Sequence, residues 1–352
     1  MTKVKMLVLS LTGRCNFACR YCYAAEHDKN KMTVKTAIKA VELAAASGEP
    51  FVIQFSGGEP LLNYDALQAV VEYVQANNIP AKMQIQTNGS LLTDDIAQYL
   101  YKSKVAIGVS LDGRPKVNDR LRLKKNGYGA TGDILKGLEV LKHNNIACGI
   151  TCVVTSENVN ELEGIIDFAY FIGNIRRIGF DLLRGQGRGS QLMPPTEEEM
   201  QSAMERVYER LALLSKMAGY EIIITQKERT AKLCSSCIDG FGHCHAMNGE
   251  AAFVDAKGDI YACSSLVGMN DYYIGDVQTG IEPALVEKIC NQIKSFMSFC
   301  RTCNDFKKCG GGCYARWFGN AEGRCSAECS LMKASIQQVK VIENSWFLQI
   351  LI

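Results

Sequence analysis

Two hydrophobic patterns alternate along residues 1–225 of the chain. Short apolar runs rich in β-branched residues predict strands at 6–11, 51–55, 83–86, 106–111, 147–154 and 177–182. Longer amphipathic segments predict helices at 33–47, 65–77, 93–102, 132–144, 158–171 and 195–218. Six strand–helix units in succession indicate an α/β fold with a parallel sheet, right-handed crossovers and the closure of a partial (β/α)6 TIM-like barrel. Ligands of such folds bind at the carboxyl ends of the strands.

Composition and charge narrow the class of protein. The chain has 352 residues, of which 47% are hydrophobic and 22% charged, with a formal net charge of +2. That balance, without a long Lys/Arg run, argues against nucleic acid as a partner. No apolar stretch is long enough to span a bilayer and no signal peptide is evident, so we expect no membrane association and a cytoplasmic location.

Cysteine usage divides the chain. Sixteen cysteines in a chain without an export signal indicate metal ligands rather than disulfides. Most of them lie between Cys234 and Cys329, which predicts a second domain at 226–335 after a first domain at 1–225, with a tail at 336–352.

Three cysteines follow the first predicted strand. In "TGRCNFACRYCYAAEH", Cys15, Cys19 and Cys22 are separated by three and then two residues. Structural zinc takes four ligands and a disulfide takes two. Three thiolates therefore fit either a metal site with a distant fourth ligand or a [4Fe–4S] cluster with one iron left open to a small molecule.

The CxxxCxxC spacing after a first strand, with the aromatic Tyr21 before the last cysteine, resembles the signature of the radical S-adenosylmethionine (radical SAM) superfamily. The resemblance implies that Cys15, Cys19 and Cys22 hold the catalytic [4Fe–4S] cluster and that its open iron binds S-adenosylmethionine. One electron then cleaves the sulfonium to give a 5′-deoxyadenosyl radical. The cofactor supplies the chemistry and the protein positions it.

Polar segments follow the next three predicted strands. "SGGEP" resembles the superfamily's GGEP motif, which holds the methionine amine, although a tight strand-to-helix turn would also explain it. Polar residues after strands three and four could bind the ribose, or form turns at Asn-Gly and Asp-Gly. Two arginines are candidates for the cofactor carboxylate, or surface charges. The predicted contacts of S-adenosylmethionine are Gly57, Gly58, Glu59, Gln86, Thr87, Asn88, Ser110, Asp112, Arg122 and Arg188.

The carboxy-terminal third carries a second cysteine pattern. "HCHAMNGEAAFVDAKGDIYACSS" predicts a β-hairpin with an Ala-Lys-Gly turn, flanked by Cys244 and Cys263. Four further cysteines follow as Cx2Cx5Cx3C in "CRTCNDFKKCGGGC". The arrangement resembles the SPASM domain of radical SAM proteins, which binds two auxiliary [4Fe–4S] clusters. Three clusters are therefore expected in all.

The resemblance to SPASM domains implies the ligands. Auxiliary cluster I would use Cys237, Cys244, Cys263 and Cys313, and auxiliary cluster II would use Cys300, Cys303, Cys309 and Cys329. Cys234 could replace Cys237, and Cys325 could replace Cys329. CxxC pairs also suit zinc, so a pair of zinc sites is the alternative reading.

Proteins of this architecture modify peptides or proteins, and the first hypothesis is a maturase that installs an oxidative crosslink, a thioether, in a ribosomally made peptide. The alternatives are a formylglycine-generating sulfatase maturase and a non-catalytic iron–sulfur electron carrier. Ser264 stands where the sulfatase-maturing branch has an aspartate base, which favours the first. The expected partners are the substrate and an external one-electron reductant of the flavodoxin or ferredoxin type. A leader-binding winged helix is expected to be absent, so a leader would bind the barrel or a separate protein.

Overall fold

Six parallel strands form the first part of the sheet. The computed structural model describes residues 3–235, 241–242, 244–318 and 325–349. The six strands pair in sequence order, each parallel to the next, as predicted. They are β1 Met6–Ser10, β2 Phe51–Ser56, β3 Ala81–Thr87, β4 Val105–Ser110, β5 Cys148–Val154 and β6 Ile175–Leu182.

Helices connect these strands. They are α1 Val34–Ala45, α2 Tyr64–Ala76, α3 Asp94–Lys102, α4 Pro115–Leu121, α5 Thr131–His143, α6 Glu163–Ile172 and α7 Glu197–Ala218. Helix α4 was not predicted, because its seven residues are too short to show an amphipathic period. The helix predicted at 158–171 is divided into a 3-10 turn, Val159–Glu161, and α6.

Alternation along β2 separates the core from the interior of the barrel. Phe51, Ile53 and Phe55 are at most 3% exposed and belong to the core. Gln54 and Ser56, at the intervening positions, line the cavity inside the barrel. The strand therefore presents an apolar face to the helices and a polar face to the candidate site.

The carboxy-terminal third continues the same sheet. Its strands are β7 Ile223–Ile224, β8 Ala251–Val254, β9 Asp259–Tyr261, β10 Tyr273–Asp276 and β11 Gly280–Ile281. The described strands lie in the order β11-β10-β9-β8-β1-β2-β3-β4-β5-β6-β7. Strand β8 pairs in parallel with β1, so this region is joined to the barrel along a full strand.

The predicted hairpin is confirmed as the antiparallel pair β8–β9. Asp255 forms its turn by accepting the backbone N–H groups of Lys257, Gly258 and Asp259 at 2.8 to 3.0 Å. Gly258 has a φ of 105°, which an L side chain rarely adopts.

Five further helices are described from residue 225 onward. They are α8 Thr225–Ser235, α9 Pro283–Phe296, α10 Phe306–Cys309, α11 Tyr314–Phe318 and α12 Ser326–Gln349. Helix α12 packs on α7 and α8 and continues past residue 335, where the sequence placed the start of a tail. Among the described residues, no helix combines the length and apolar character needed to cross a membrane.

Candidate active site

The loop that carries Cys15, Cys19 and Cys22 is held at the carboxyl end of β1 by backbone hydrogen bonds. Ala18 N–H donates to the Leu123 carbonyl at 2.6 Å. Arg188 donates its Nε–H to the Cys19 carbonyl at 2.8 Å and its backbone N–H to the Cys22 carbonyl at 3.0 Å. The loop is therefore fixed from the segment after α4 and from the segment after β6.

All three cysteines line one cavity of about 860 Å³ inside the barrel. Burial raises the pKa of the Cys15 thiol, and burial raises that of Cys19 to about 12. The Cys22 thiol contributes to both increases, so the three sulfur atoms lie near one another. Three neighbouring thiols at a cavity wall fit a [4Fe–4S] cluster with one open iron.

The two glycines of "SGGEP" are required by the cysteine loop. A Cβ on Gly57 would lie 2.3 Å from the Thr12 carbonyl oxygen, and one on Gly58 would lie 2.3 Å from that of Arg14. Gly58 N–H donates to Thr12 at 2.8 Å, and Glu59 N–H donates to Arg14 at 2.9 Å. The close approach thus joins this segment to the cysteine loop, while both glycines also line the cavity.

The Glu59 carboxylate is fully buried behind the cavity wall. Its Oε1 accepts from the Thr87 hydroxyl at 2.7 Å and from the Leu61 N–H at 3.1 Å, and its Oε2 accepts from the Asn88 N–H at 2.8 Å. Burial raises its pKa. Glu59 therefore holds the loop after β3 in place and does not itself line the cavity, whereas Thr87 and Asn88 do.

Polar side chains form a row along the cavity wall from β3 through β4 to β5. Gln86 donates to the Ser110 hydroxyl at 2.9 Å and accepts from Thr151 at 3.1 Å. Asn88 donates to Asn16 at 2.9 Å and contacts Cys15 Sγ at 3.8 Å. This row could present hydroxyl and amide groups to a polar ligand.

Asp112 and Arg122, both predicted to contact S-adenosylmethionine, pair with each other. Arg122 Nε lies 2.9 Å from Asp112 Oδ2, and both side chains are at most 6% exposed. Asp112 also accepts from the Tyr21 hydroxyl at 2.5 Å and from the Val153 N–H at 2.8 Å. Asp112 therefore lies behind the wall, whereas Arg122 reaches the cavity.

Five further residues line the cavity next to the cysteine loop. Four of them are not among the site residues predicted from the sequence. The fifth, Ser264, was named there only as the position at which sulfatase maturases have an aspartate. The five are Tyr23, Asp181, Arg184, Ser264 and Arg316. One signal was available, because Asp181 lies at the carboxyl end of a predicted strand. Arg316 gave no such signal, since it reaches the barrel only through the packing of α11.

The cysteines of the carboxy-terminal third fall into two groups of mutually interacting thiols. Burial raises the pKa of Cys244 to about 12, and Cys313 and Cys263 raise it further. The other group consists of Cys300, Cys303, Cys309 and Cys329. Cys303 raises the pKa of Cys300, Cys300 raises that of Cys309, and both Cys309 and Cys300 raise that of Cys329. This grouping supports the predicted ligand sets, which remain predictions.

Three details bear on the alternative ligands. Cys237 lies outside the described residues, and Cys234 is exposed on α8. Cys325 is buried and interacts with Cys313, so it lies nearer the first group, whereas Cys329 interacts with Cys309. Within the described ranges, no three His, Cys, Asp or Glu side chains converge on a position for a single metal ion.

Comparison with known proteins gives the family. The sequence model described as the radical SAM superfamily matches residues 9–169, which contain the cysteine loop and "SGGEP". The chain belongs to the radical SAM superfamily. An uncharacterized protein of Methanocaldococcus jannaschii is 35% identical over 269 residues, covering 76% of this radical SAM chain and 87% of the relative.

Two relatives with assigned activities are more distant or match a shorter part of the chain. The Fe-coproporphyrin III synthase of Methanosarcina barkeri is 32% identical over 59% of this chain and 52% of its own. The cysteine-type anaerobic sulfatase-maturating enzyme of Clostridium novyi is 23% identical over 89% of this chain and 88% of its own. The radical SAM chain thus has homologues among protein-modifying enzymes.

Solved structures share the fold. Native anSMEcpe with bound AdoMet superposes with a TM-score of 0.80 at 17% identity, covering 97% of this chain and 99% of that one. Streptococcus suis SuiB bound to the precursor peptide SuiA gives a TM-score of 0.67 at 19% identity, covering 93% and 76%. The α/β fold with its parallel sheet is therefore that of radical SAM enzymes.

Proposed function

We propose that this radical SAM enzyme matures a ribosomally synthesised peptide by installing an oxidative crosslink, a thioether. The observation that carries the proposal is Ser264, a neutral hydroxyl at the cavity wall where sulfatase maturases are expected to have an aspartate base. Homologues among protein-modifying enzymes and the fold shared with SuiB support a peptide substrate.

The residues present fit the proposed cofactors. Cys15, Cys19 and Cys22 would hold the first cluster, and the cavity wall from Gly57 to Arg188 would hold S-adenosylmethionine. When bound, S-adenosylmethionine supplies the radical that removes a hydrogen atom, and the two auxiliary clusters supply an acceptor for one electron. The chain itself must then place the substrate and accept or release a proton.

The side chains near Ser264 are weak bases. Serine is neutral at ordinary pH, and burial raises the pKa of the Tyr23 phenol, so it stays protonated. Although burial opposes the change, Arg184 and Arg316 lower the pKa of Asp181. Formylglycine formation would need a better base than these. A substrate thiol, with an unperturbed pKa of about 8.5, ionises with little help and suits crosslinking.

Substitution at Ser264 tests this choice. Ser264→Ala should keep peptide crosslinking within about tenfold of the parent rate, or about 1.4 kcal/mol in the barrier. The matched control is Ser265→Ala, which removes the neighbouring buried hydroxyl outside the cavity lining and should behave like the parent. Conversion of a CxPxR-type sulfatase peptide to an aldehyde by the parent, lost in Ser264→Ala, would overturn the proposal.

Sulfatase maturation is the second candidate. The TM-score of 0.80 with anSMEcpe, a protein also solved with AdoMet and the Cp18Cys peptide, favours it. The same peptide assay separates the two, because an aldehyde retains no substrate sulfur, whereas a thioether retains it. An external one-electron reductant of the flavodoxin or ferredoxin type is part of either proposal.

A further inference from the structure

Four charged side chains join the cavity wall to the loop that carries Cys313. Arg184 Nη2 donates to Asp181 at 2.9 Å, and Arg316 lies between two carboxylates, donating to Asp181 and to Glu328. These side chains are only 5 to 25% exposed. We call Arg184, Asp181, Arg316 and Glu328 the ionic bridge.

Both ends of the ionic bridge reach groups beside predicted cluster ligands. At one end, Glu328 accepts from the backbone N–H of Cys313 at 2.9 Å and from Trp317 Nε1 at 2.6 Å. At the other end, the Arg184 guanidinium lies 4.7 Å from the centre of the Tyr23 ring, and Tyr23 directly follows Cys22. The ionic bridge therefore runs from the first cysteine loop, along the cavity, to a predicted ligand of auxiliary cluster I.

Arg316 is held beside Cys313 by hydrogen bonds. Its backbone N–H donates to the Cys313 carbonyl at 3.0 Å, and its guanidinium donates to Glu328, which itself accepts from the Cys313 N–H. A guanidinium that stabilises negative charge on a ligating sulfur also stabilises the added electron of a reduced cluster, since cluster potentials depend on nearby charge and hydrogen bonds. The carboxylates of the ionic bridge have the opposite effect.

We propose, on the basis of the proposed function, that Arg316 is a positioning residue. It raises the reduction potential of auxiliary cluster I and links that cluster to the wall of the substrate cavity. Asp181 and Glu328 both accept hydrogen bonds from Arg316. The Asp181 carboxylate therefore partly neutralises the positive charge near the cluster. The predicted effects of Arg316 and Asp181 on the potential therefore have opposite signs.

Redox titration followed by electron paramagnetic resonance tests the proposal. Cys15, Cys19 and Cys22 are first replaced by alanine, which leaves the two auxiliary clusters as the signals. Adding Arg316→Gln should shift one midpoint potential downward by about 59 mV, a tenfold change in a one-electron equilibrium. Arg316→Lys keeps the charge and should recover most of the shift. Asp181→Asn should move the same potential upward.

Arg177→Gln is the matched control, because Arg177 lines the same cavity but pairs with Glu228. It should leave both potentials unchanged. A merely structural role for Arg316 predicts loss of cluster or equal shifts in all variants, not shifts of opposite sign.

Unchanged potentials in Arg316→Gln and Asp181→Asn, with about eight irons still bound, would overturn the inference and leave the proposed function standing. If Arg316→Gln loses iron, the midpoint potentials of Arg316→Lys and Asp181→Asn decide the question. An upward shift in Asp181→Asn with little change in Arg316→Lys supports the inference, and an unchanged potential in Asp181→Asn overturns it. Iron missing from the protein before Arg316 is changed would instead refute the cluster content of the proposed function.

Discussion

Replacing Gly58 by alanine perturbs the contact between "SGGEP" and the cysteine loop. The new Cβ would lie 2.3 Å from the Arg14 carbonyl oxygen, 2.6 Å from the Arg14 carbonyl carbon and 2.8 Å from the Gly13 oxygen. These distances are roughly 1 Å shorter than ordinary contacts. All three atoms belong to the backbone, so no side-chain rotation can relieve the overlap.

The overlap should displace the cysteine loop rather than the sheet. Gly58 lies two residues after β2, a strand paired on both sides, whereas Arg14 lies in a loop next to Cys15. Overpacking of this kind costs about 1–3 kcal/mol. We expect the first cluster to be lost, because its three thiolates come from the displaced loop, and the auxiliary clusters to be retained.

Iron content and cofactor cleavage measure the effect. After anaerobic reconstitution, the parent should bind about twelve irons per chain and Gly58→Ala about eight, with release of 5′-deoxyadenosine abolished. Gly132→Ala is the control, because a Cβ at this position in α5 meets nothing within 4 Å. Full iron content and unchanged cleavage in Gly58→Ala would refute the account of this contact.

Two further predictions concern the same loop. Replacing Cys15, Cys19 and Cys22 by alanine should leave about eight irons per chain and abolish release of 5′-deoxyadenosine and methionine, and stoichiometric zinc with little iron in the parent would contradict the cluster assignment. Burial lowers the pKa of His27 to about 4 from 6.5, so the unfolded chain takes up a proton more readily than the folded one between these values. The free energy of unfolding is therefore at its full value above pH 6.5 and decreases as pH falls towards 4. Urea unfolding should therefore show about 2 kcal/mol less stability at pH 5 than at pH 7, and His27→Phe should lose this part of the dependence; an equal slope in both proteins would contradict it.

The parallel sheet could be predicted because each strand is a short apolar run followed by an amphipathic helix. The placement of Cys15 and Gly58 at one end of the sheet follows from that order alone. The pairing of β8 with β1 could not be predicted, since it joins segments more than 240 residues apart and no local pattern indicates it.

The candidate site was predicted in outline, but the partners of its charges were not. Asp112 and Arg122 were both assigned to the cofactor, yet they form a buried pair ten residues apart. Arg316 meets Asp181 across 135 positions of the chain. Such contacts depend on how loops and helices pack, which the periodicity of a sequence does not encode.

Mass spectrometry of the cognate peptide tests the central claim most directly. A short cysteine-containing peptide encoded beside the gene would be incubated with reconstituted enzyme, S-adenosylmethionine and dithionite. Each crosslink should remove two hydrogens from the peptide while all of its sulfur is retained, and fragmentation should show no cleavage within the linked segment. Loss of sulfur with formation of an aldehyde, or cofactor cleavage that never alters the peptide, would contradict the proposed function.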